Sequence, residues 1–558
     1  MTFNRSAVPF FKTPAVHKAA EKVGDQNRLV IYCGAGVTID HTGLDWGGLN
    51  SKLFKEGLPG APTEHEAKEL LKYLSPLELS SILETTFTRG NSGKAKAGRA
   101  KREDKMKSLL YDQPLWQTGR LARSVIRLSA GYLRRGKQVT IITTNQDVYL
   151  EQAFKLYVDE LIAMGVPPEF SEHLRVQVLA DEDAGLVPLG DSKNPAENCL
   201  EIVYLHGRIP EAGEGTTAGF IPNGEADFDR RHEIAATTVK NYLDVPHTGL
   251  LVLGSGLRDQ PLISGLARTM DKNKDARFAV VPFPGSSFST EDDKELGRLA
   301  GFLKDRGDHL GLTILQPDFH SQVAQFCEEA LGSLVAKTRA PSKYSDRLDS
   351  WRQGWEKTDT ARGPSATYQS LHGALTKARQ QLRSVDSGNE KSLTEPMRLE
   401  LWVRNPKNRT IELRASTAGE LRDSAIMRQS DIGLYSANSS VRALVEGRPL
   451  LHTFDGLIKS TYSADTGRTS LWKHLLSIPI EVQVENRRMP VGVITLLSQD
   501  EMSTIRLADE MSPDVMQTLV KHLKEAGKEL LQLPAEPSTE TGSIDLKEIE
   551  SLLSSLKK

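Results

Sequence analysis

Up to residue 335 the chain alternates short apolar, β-branched runs with longer stretches of helical apolar spacing. The runs are RLVIYC (28–33), QVTIITT (138–144), LEIVYLHG (200–207), GLLVLGSG (249–256), RFAVVPF (277–283) and GLTILQ (311–316). Such spacing predicts β-α units and a parallel sheet covered on both faces. One stretch breaks the rhythm. Residues 89–107, RGNSGKAKAGRAKREDKMK, carry eight Lys or Arg and no apolar period that could bury one face, so they read as an exposed loop or frayed helix.

From 338 to 365 the chain is polar, holds two prolines and loses all periodicity, which places a domain boundary and linker there. A helical stretch at 366–385 leads into a different pattern. RLELWVRNPKNRTIELRAS (398–416) reads as two strands around an Asn-Pro-Lys-Asn turn, and IPIEVQVENRRMPVGVITLLS (478–498) repeats the hairpin. SPDVMQTLVKHLKEAGKELLQL (512–533) then closes an α+β segment with a helix. The expected division is therefore 1–337, a linker at 338–365, a second domain at 366–533, and 534–558 as a flexible linker plus a short amphipathic helix. That last helix sets Leu546, Ile549, Leu552, Leu553 and Leu556 on one face, starts at an Asp545/Glu548 capping box, and is expected to dock on its own protein.

Composition narrows the partners. The chain has 558 residues, enough for two or three domains at roughly 100–200 residues each. Its 71 basic and 73 acidic side chains leave a net charge of −2, so no global field favours nucleic acid or an anionic membrane. No stretch approaches the roughly 18 apolar residues that span a bilayer. The three cysteines, Cys33, Cys199 and Cys327, form no C-x-x-C pair, which excludes an all-cysteine zinc site and a disulfide framework. A cytoplasmic protein that uses no metal is expected.

Chemistry gathers where strands end. Gly34-Ala35-Gly36 turns tightly behind RLVIYC, and its glycines would let the backbone approach a phosphate. The dinucleotide fingerprint would need glycine at position 39, where Ile39 stands, so a conventional dehydrogenase site is not supported. Thr143-Thr144-Asn145-Gln146-Asp147 ends the second run, His206-Gly207 the third, and Gly254-Ser255-Gly256 followed by Asp259 the fourth. Ligands of open parallel sheets sit at the carboxyl ends of strands, and a near-neutral histidine suits a general base there.

These four segments, in this order, resemble the sirtuin family. The family's GAG-x-S turn corresponds to Gly34-Ala35-Gly36-Val37-Thr38, its following glycine-to-aromatic segment to Gly43-Leu44-Asp45-Trp46, its T-x-N-x-D element to Thr143–Asp147 and its histidine-glycine pair to His206-Gly207. The resemblance implies a Rossmann-like α/β fold that binds NAD. It implies Asn145 and His206 as catalytic residues oriented by Asp147, with Gly34, Ala35, Gly36, Val37, Thr38, Asp45, Trp46, Thr144, Gly254, Ser255 and Asp259 at the dinucleotide. Two departures matter. The protein-deacylating members carry a zinc module that three scattered cysteines cannot build, and the family's Gly-x-Ser serine falls on Gly256.

What remains is similar to the zinc-free sirtuin-like NAD hydrolases of bacterial anti-phage defence, which implies an NAD glycohydrolase with NAD as substrate. Residues 396–533 resemble a GAF-type domain, which implies a sensor or oligomerisation unit, a homo-oligomer, and a small-molecule or phage-protein trigger. Two alternatives stay open: an NAD or ADP-ribose sensor without turnover, and a deacylase or ADP-ribosyltransferase.

Overall fold

All six apolar runs form strands, and two further strands join them. The computed structural model describes residues 9–57, 73–90, 95–111, 119–163, 173–180, 185–189, 199–211, 217–219, 221–222, 224–282, 293–335, 343–385, 397–407, 409–417, 429–432, 436, 438–453, 474–485, 487–498 and 513–533. The first eight strands are β1 (Arg28–Cys33), β2 (Gln138–Thr143), β3 (Leu174–Leu179), β4 (Leu186–Leu189), β5 (Leu200–Tyr204), β6 (Thr248–Leu253), β7 (Arg277–Val280) and β8 (Thr313–Leu315). They form one sheet in the order β4-β3-β5-β2-β1-β6-β7-β8, in which only the β3–β4 pair is antiparallel.

Along β1, Leu29, Ile31 and Cys33 face one apolar core while Val30 and Tyr32 face another, all of them fully buried. A strand covered on both faces has no polar side to show, hence the unbroken apolar run. From β1 the chain builds outward through β2, β5 and β3, and then returns to the other side of β1 with β6. The sheet therefore reverses its strand order between β1 and β6, which is where open α/β sheets leave a crevice.

A second, six-stranded antiparallel sheet follows. It consists of β9 (Met397–Asn405), β10 (Thr410–Ser416), β11 (Gln429–Asp431), β12 (Leu450–Thr453), β13 (His474–Val484) and β14 (Arg487–Ser498), ordered β11-β10-β9-β14-β13-β12. Both predicted hairpins are present, as β9–β10 and β13–β14. The two sheets share one continuous apolar cluster that runs from Leu29 and Ile31 through the Arg120–Arg134 and Ser321–Val335 helices to Leu401, Ile478 and Val491. A mixed α/β protein with one parallel-dominated and one antiparallel sheet is what the chain forms.

Two segments differ from their sequence reading. Residues 344–362, within the stretch expected to be an irregular linker, form the Tyr344–Arg362 helix. Its Trp351 and Trp355, one helical turn apart and each 1% exposed, stack at 6.1 Å and donate their indole N–H groups to the carbonyls of Leu531 and Leu530. Those carbonyls end the Pro513–Leu531 helix and have no partner within it. Residues 95–111, within the basic run expected to be exposed, form the Ala95–Tyr111 helix. There Arg102 is 1% exposed and donates to Ser80, while Arg99 meets Glu84 and Asp227. Polar side chains satisfied by other elements help hold both helices, while Tyr344, Leu348, Trp351 and Trp355 on one and Met106, Leu109 and Leu110 on the other supply the buried apolar side. The expected helix at 544–558 lies outside the described residues.

Together with the Trp46–Gly57 and Pro76–Gly90 helices, the Ala95–Tyr111 helix builds a small separate core of Leu53, Leu79, Leu83, Phe87 and Met106. Leu49 and Leu110 of this helical layer reach the ends of the parallel strands, and the candidate site lies between the two.

Candidate functional site

The four motif-bearing segments follow β1, β2, β5 and β6, which are contiguous in the sheet as β5-β2-β1-β6. Their ends meet at a pocket of about 760 Å³ roofed by the helical layer. Nine of the sequence-predicted residues line it: Ala35, Thr38, Asp45, Trp46, Thr144, Asn145, Asp147, His206 and Asp259. Gly34, Gly36, Val37, Gly254 and Ser255 do not.

The reason for that split is backbone packing between two strand ends. Gly34 donates its N–H to Leu253 and Gly36 donates to Gly254, at 3.0 and 2.8 Å, while Val37 and Thr38 donate back to Gly34 and Ala35. A Cβ on Gly36 would stand 2.8 Å from the Gly254 Cα, and Gly254 itself has φ +64°. The glycines thus allow the β1 and β6 turns to touch each other. The Gly34 and Gly36 N–H groups are thereby used within the fold, and of the turn it is Ala35 that lines the pocket. Val37 is fully buried in the core.

One hydrogen-bonded chain joins the first two segments. Asn145 Nδ2 donates to Thr38 Oγ1 at 3.2 Å, Thr38 Oγ1 donates to Asp147 Oδ2 at 3.1 Å, and Asp147 Oδ1 accepts the Tyr149 N–H at 3.2 Å. Asn145 also donates its N–H to Thr143 Oγ1, whose hydroxyl in turn bonds Cys33 O across the sheet. The carboxamide plane of Asn145 is held, and its Oδ1 remains for the pocket. Burial pushes the Asp147 carboxyl up to about 6, against the hydrogen bonds from Tyr149 and Thr38 that favour the charged form.

His206 stands on the other side of the Asn145 segment, in edge contact with Phe228 at 5.0 Å; Phe228 in turn meets Trp46 edge-on at 6.2 Å. This apolar wall pushes the imidazole pKa down to about 4, so the ring is neutral at physiological pH. Its Nδ1 has no hydrogen-bond partner among the described residues. On the far rim Ser255 donates to Asp259 at 2.7 Å, and burial raises the Asp259 carboxyl. Asp45 accepts the Gly48 N–H at 2.7 Å and so caps the Trp46–Gly57 helix besides facing the pocket.

Gln146 was read in the sequence only as part of the Thr143–Asp147 run and was assigned no role. It is 5% exposed and lines the pocket, and neither Oε1 nor Nε2 has a partner among the described residues. An unsatisfied buried carboxamide costs about 1–3 kcal/mol, a cost that a ligand offering both a donor and an acceptor would remove. Its place inside a motif that already contained Asn145 and Asp147 was the available signal. Phe228 and Leu110 were also missed, because they come from helices that carry no motif, and so was Leu49, three residues past the Gly43–Trp46 segment.

The arrangement holds a neutral base, a fixed amide oxygen, an orphaned carboxamide and an aromatic wall in one cleft, a combination suited to a small ligand with a flat face and polar groups at its edge. Comparison with models of known protein families gives no match, and none of the curated proteins compared matches the chain.

Proposed function

We propose that the chain is an NAD glycohydrolase of the sirtuin-like kind, cleaving NAD to nicotinamide and ADP-ribose. The carrying observation is that Asn145 and His206, from two different strand ends, face one cleft at the strand-order reversal of a parallel sheet. In NAD the nicotinamide is a cationic leaving group, so breaking its bond to ribose C1′ requires stabilisation of oxocarbenium character rather than a strong acid. The bonding pair leaves with the ring nitrogen, and a water oxygen adds to C1′. The water proton passes to His206 Nδ1, directly or through a ribose hydroxyl, and from there to solvent. Asn145 Oδ1 positions the ribose and the water, and Asp147 keeps Thr38, and through it Asn145, in place. Gln146 presents a donor and an acceptor to the nicotinamide amide.

Under this reading the second sheet is a GAF-like regulatory or dimerising unit and the protein a cytoplasmic homo-oligomer that acts in anti-phage defence when a small molecule or phage protein triggers it. A second reading, NAD sensing without turnover, draws support from the low basicity of His206. The deciding experiment measures nicotinamide and ADP-ribose release from NAD by the purified chain and its His206→Ala variant, with NAD binding measured in parallel. Release by the wild type alone supports hydrolysis, whereas binding without release in both supports sensing.

A further inference from the structure

A second, smaller cavity lies at the seam of the two sheets. Asp40, Arg120 and Arg123 line it from the side of the parallel sheet, and Arg448, Glu481 and Lys524 from the other. Four cations therefore face two carboxylates. Glu481 is already engaged by Arg120 and lies 3.7 Å from Arg123. Arg120 spends its other donors on Ser321 O and Gln325 Oε1.

The remaining groups are unevenly matched. Lys524 makes no hydrogen bond or ion pair among the described residues, and burial together with the neighbouring Arg123 pushes its pKa down to about 7. Arg123 Nε likewise has no partner among them. Arg448 pairs with Glu446 and turns its Nη1 toward Gly43. Asp40, 5% exposed, accepts the Leu121 N–H with Oδ2, while Oδ1 has no partner among the described residues and burial raises its pKa toward the neutral form. Four cations thus share Glu481 and Glu446, and Lys524 is left without an ion-pair partner among the described residues; a bound dianion would supply the missing charge, and forked guanidinium groups beside an ammonium suit phosphate oxygens.

We propose that the seam cavity is a binding site for the phosphate group of a small molecule, and that its occupancy is felt at the strand-end pocket. The link is short. Asp40 belongs to the Ile39–Thr42 turn, whose Thr42 lines the other pocket, as does the preceding Thr38. One four-residue turn thus has a face on each cavity, and a phosphate drawing Arg123 and Arg448 past Asp40 moves that turn.

The binding half stands alone; the coupling half rests on the NAD reading. Calorimetry and thermal unfolding with inorganic phosphate and with ribose 5-phosphate, against chloride at matched ionic strength, test the first half on the full chain, Lys524→Gln and Arg448→Gln. Losing one charge-assisted contact should weaken phosphate binding about tenfold in each variant, while melting of Lys524→Gln without phosphate stays at or above the wild-type value. A preference for ribose 5-phosphate would identify an organic phosphate as the ligand, equal affinity the free ion. No phosphate response in the wild type, or the same response in both variants, overturns the site as an adventitious ion only. NAD affinity that changes with phosphate in the wild type but not in Lys524→Gln supports the coupling. NAD affinity indifferent to bound phosphate overturns the coupling alone, and no NAD binding at all overturns the NAD reading while leaving the phosphate result intact.

Discussion

The strand-end pocket and the seam between the sheets are both polar interiors, and they treat polar groups in opposite ways. Along most of the seam buried carboxylates meet arginines, Glu481 with Arg120, Glu328 with Arg127 at 3.0 Å and Glu329 with Arg347, and the exception is Asp40 at the seam cavity. In the pocket, Gln146 and His206 hold polar atoms with no partner among the described residues. A completed network fixes two surfaces in register, whereas an incomplete one costs stability until something else completes it. Where a protein tolerates that cost, it signals a place built for a ligand.

The comparison breaks most visibly in activity. His206→Ala and Asn145→Ala should each slow nicotinamide release by about 10²–10⁴-fold with melting unchanged, and wild-type rates in both would remove the chemistry from this pocket. The acid limb of the pH–rate profile should follow Asp147, falling as pH drops through about 6, because protonation of its carboxylate releases the Thr38 hydroxyl. A limb near 4 would assign it to His206 instead.

In the seam the effect should appear in stability. Glu481→Gln leaves Arg120 buried without a counter-charge and should cost about 3–5 kcal/mol in denaturant unfolding; a loss below about 1 kcal/mol would mean that the pair is solvated. Arg120 and Arg123 hold the Glu481 carboxyl well below the usual range despite its burial, so the pair's contribution disappears only at strongly acidic pH. Gly36→Ala sets a Cβ against the Gly254 backbone and should cost about 1–3 kcal/mol. Unchanged melting with weakened NAD binding would restore a direct phosphate role to that turn. The smallest shift sharpens the contrast best: Gln146→Leu should leave stability equal or raise it by up to about 1 kcal/mol while weakening NAD binding. A lower melting temperature would show that the carboxamide serves the fold.

Much of the parallel sheet was legible because its cause is local. RLVIYC or TIITT can form little else than a doubly covered strand, and polar residues directly after such runs must lie at the sheet's carboxyl edge. That Asn145, Asp147 and His206 share a pocket followed from this alone. The packing role of the glycines was not legible, because what they accommodate, another strand's turn more than two hundred residues away, is invisible in their own neighbourhood. β3, β4 and the helical roof also escaped, the roof for the same reason: Arg102 and Arg99 look like surface residues until Ser80, Glu84 and Asp227 are beside them.

Trp351 and Trp355 bear on the order in which the molecule is made. Their indoles bond carbonyls 180 and 175 residues further along the chain. The parallel sheet is complete in sequence at β8, so a ribosome can release that sheet ready to fold while the tryptophan pair has no partner. The antiparallel strands must all be synthesised before the Pro513–Leu531 helix arrives to take the two N–H groups. Completion of the environment of this stacked pair is thus a late event of biosynthesis, set by the arrival of the Pro513–Leu531 helix.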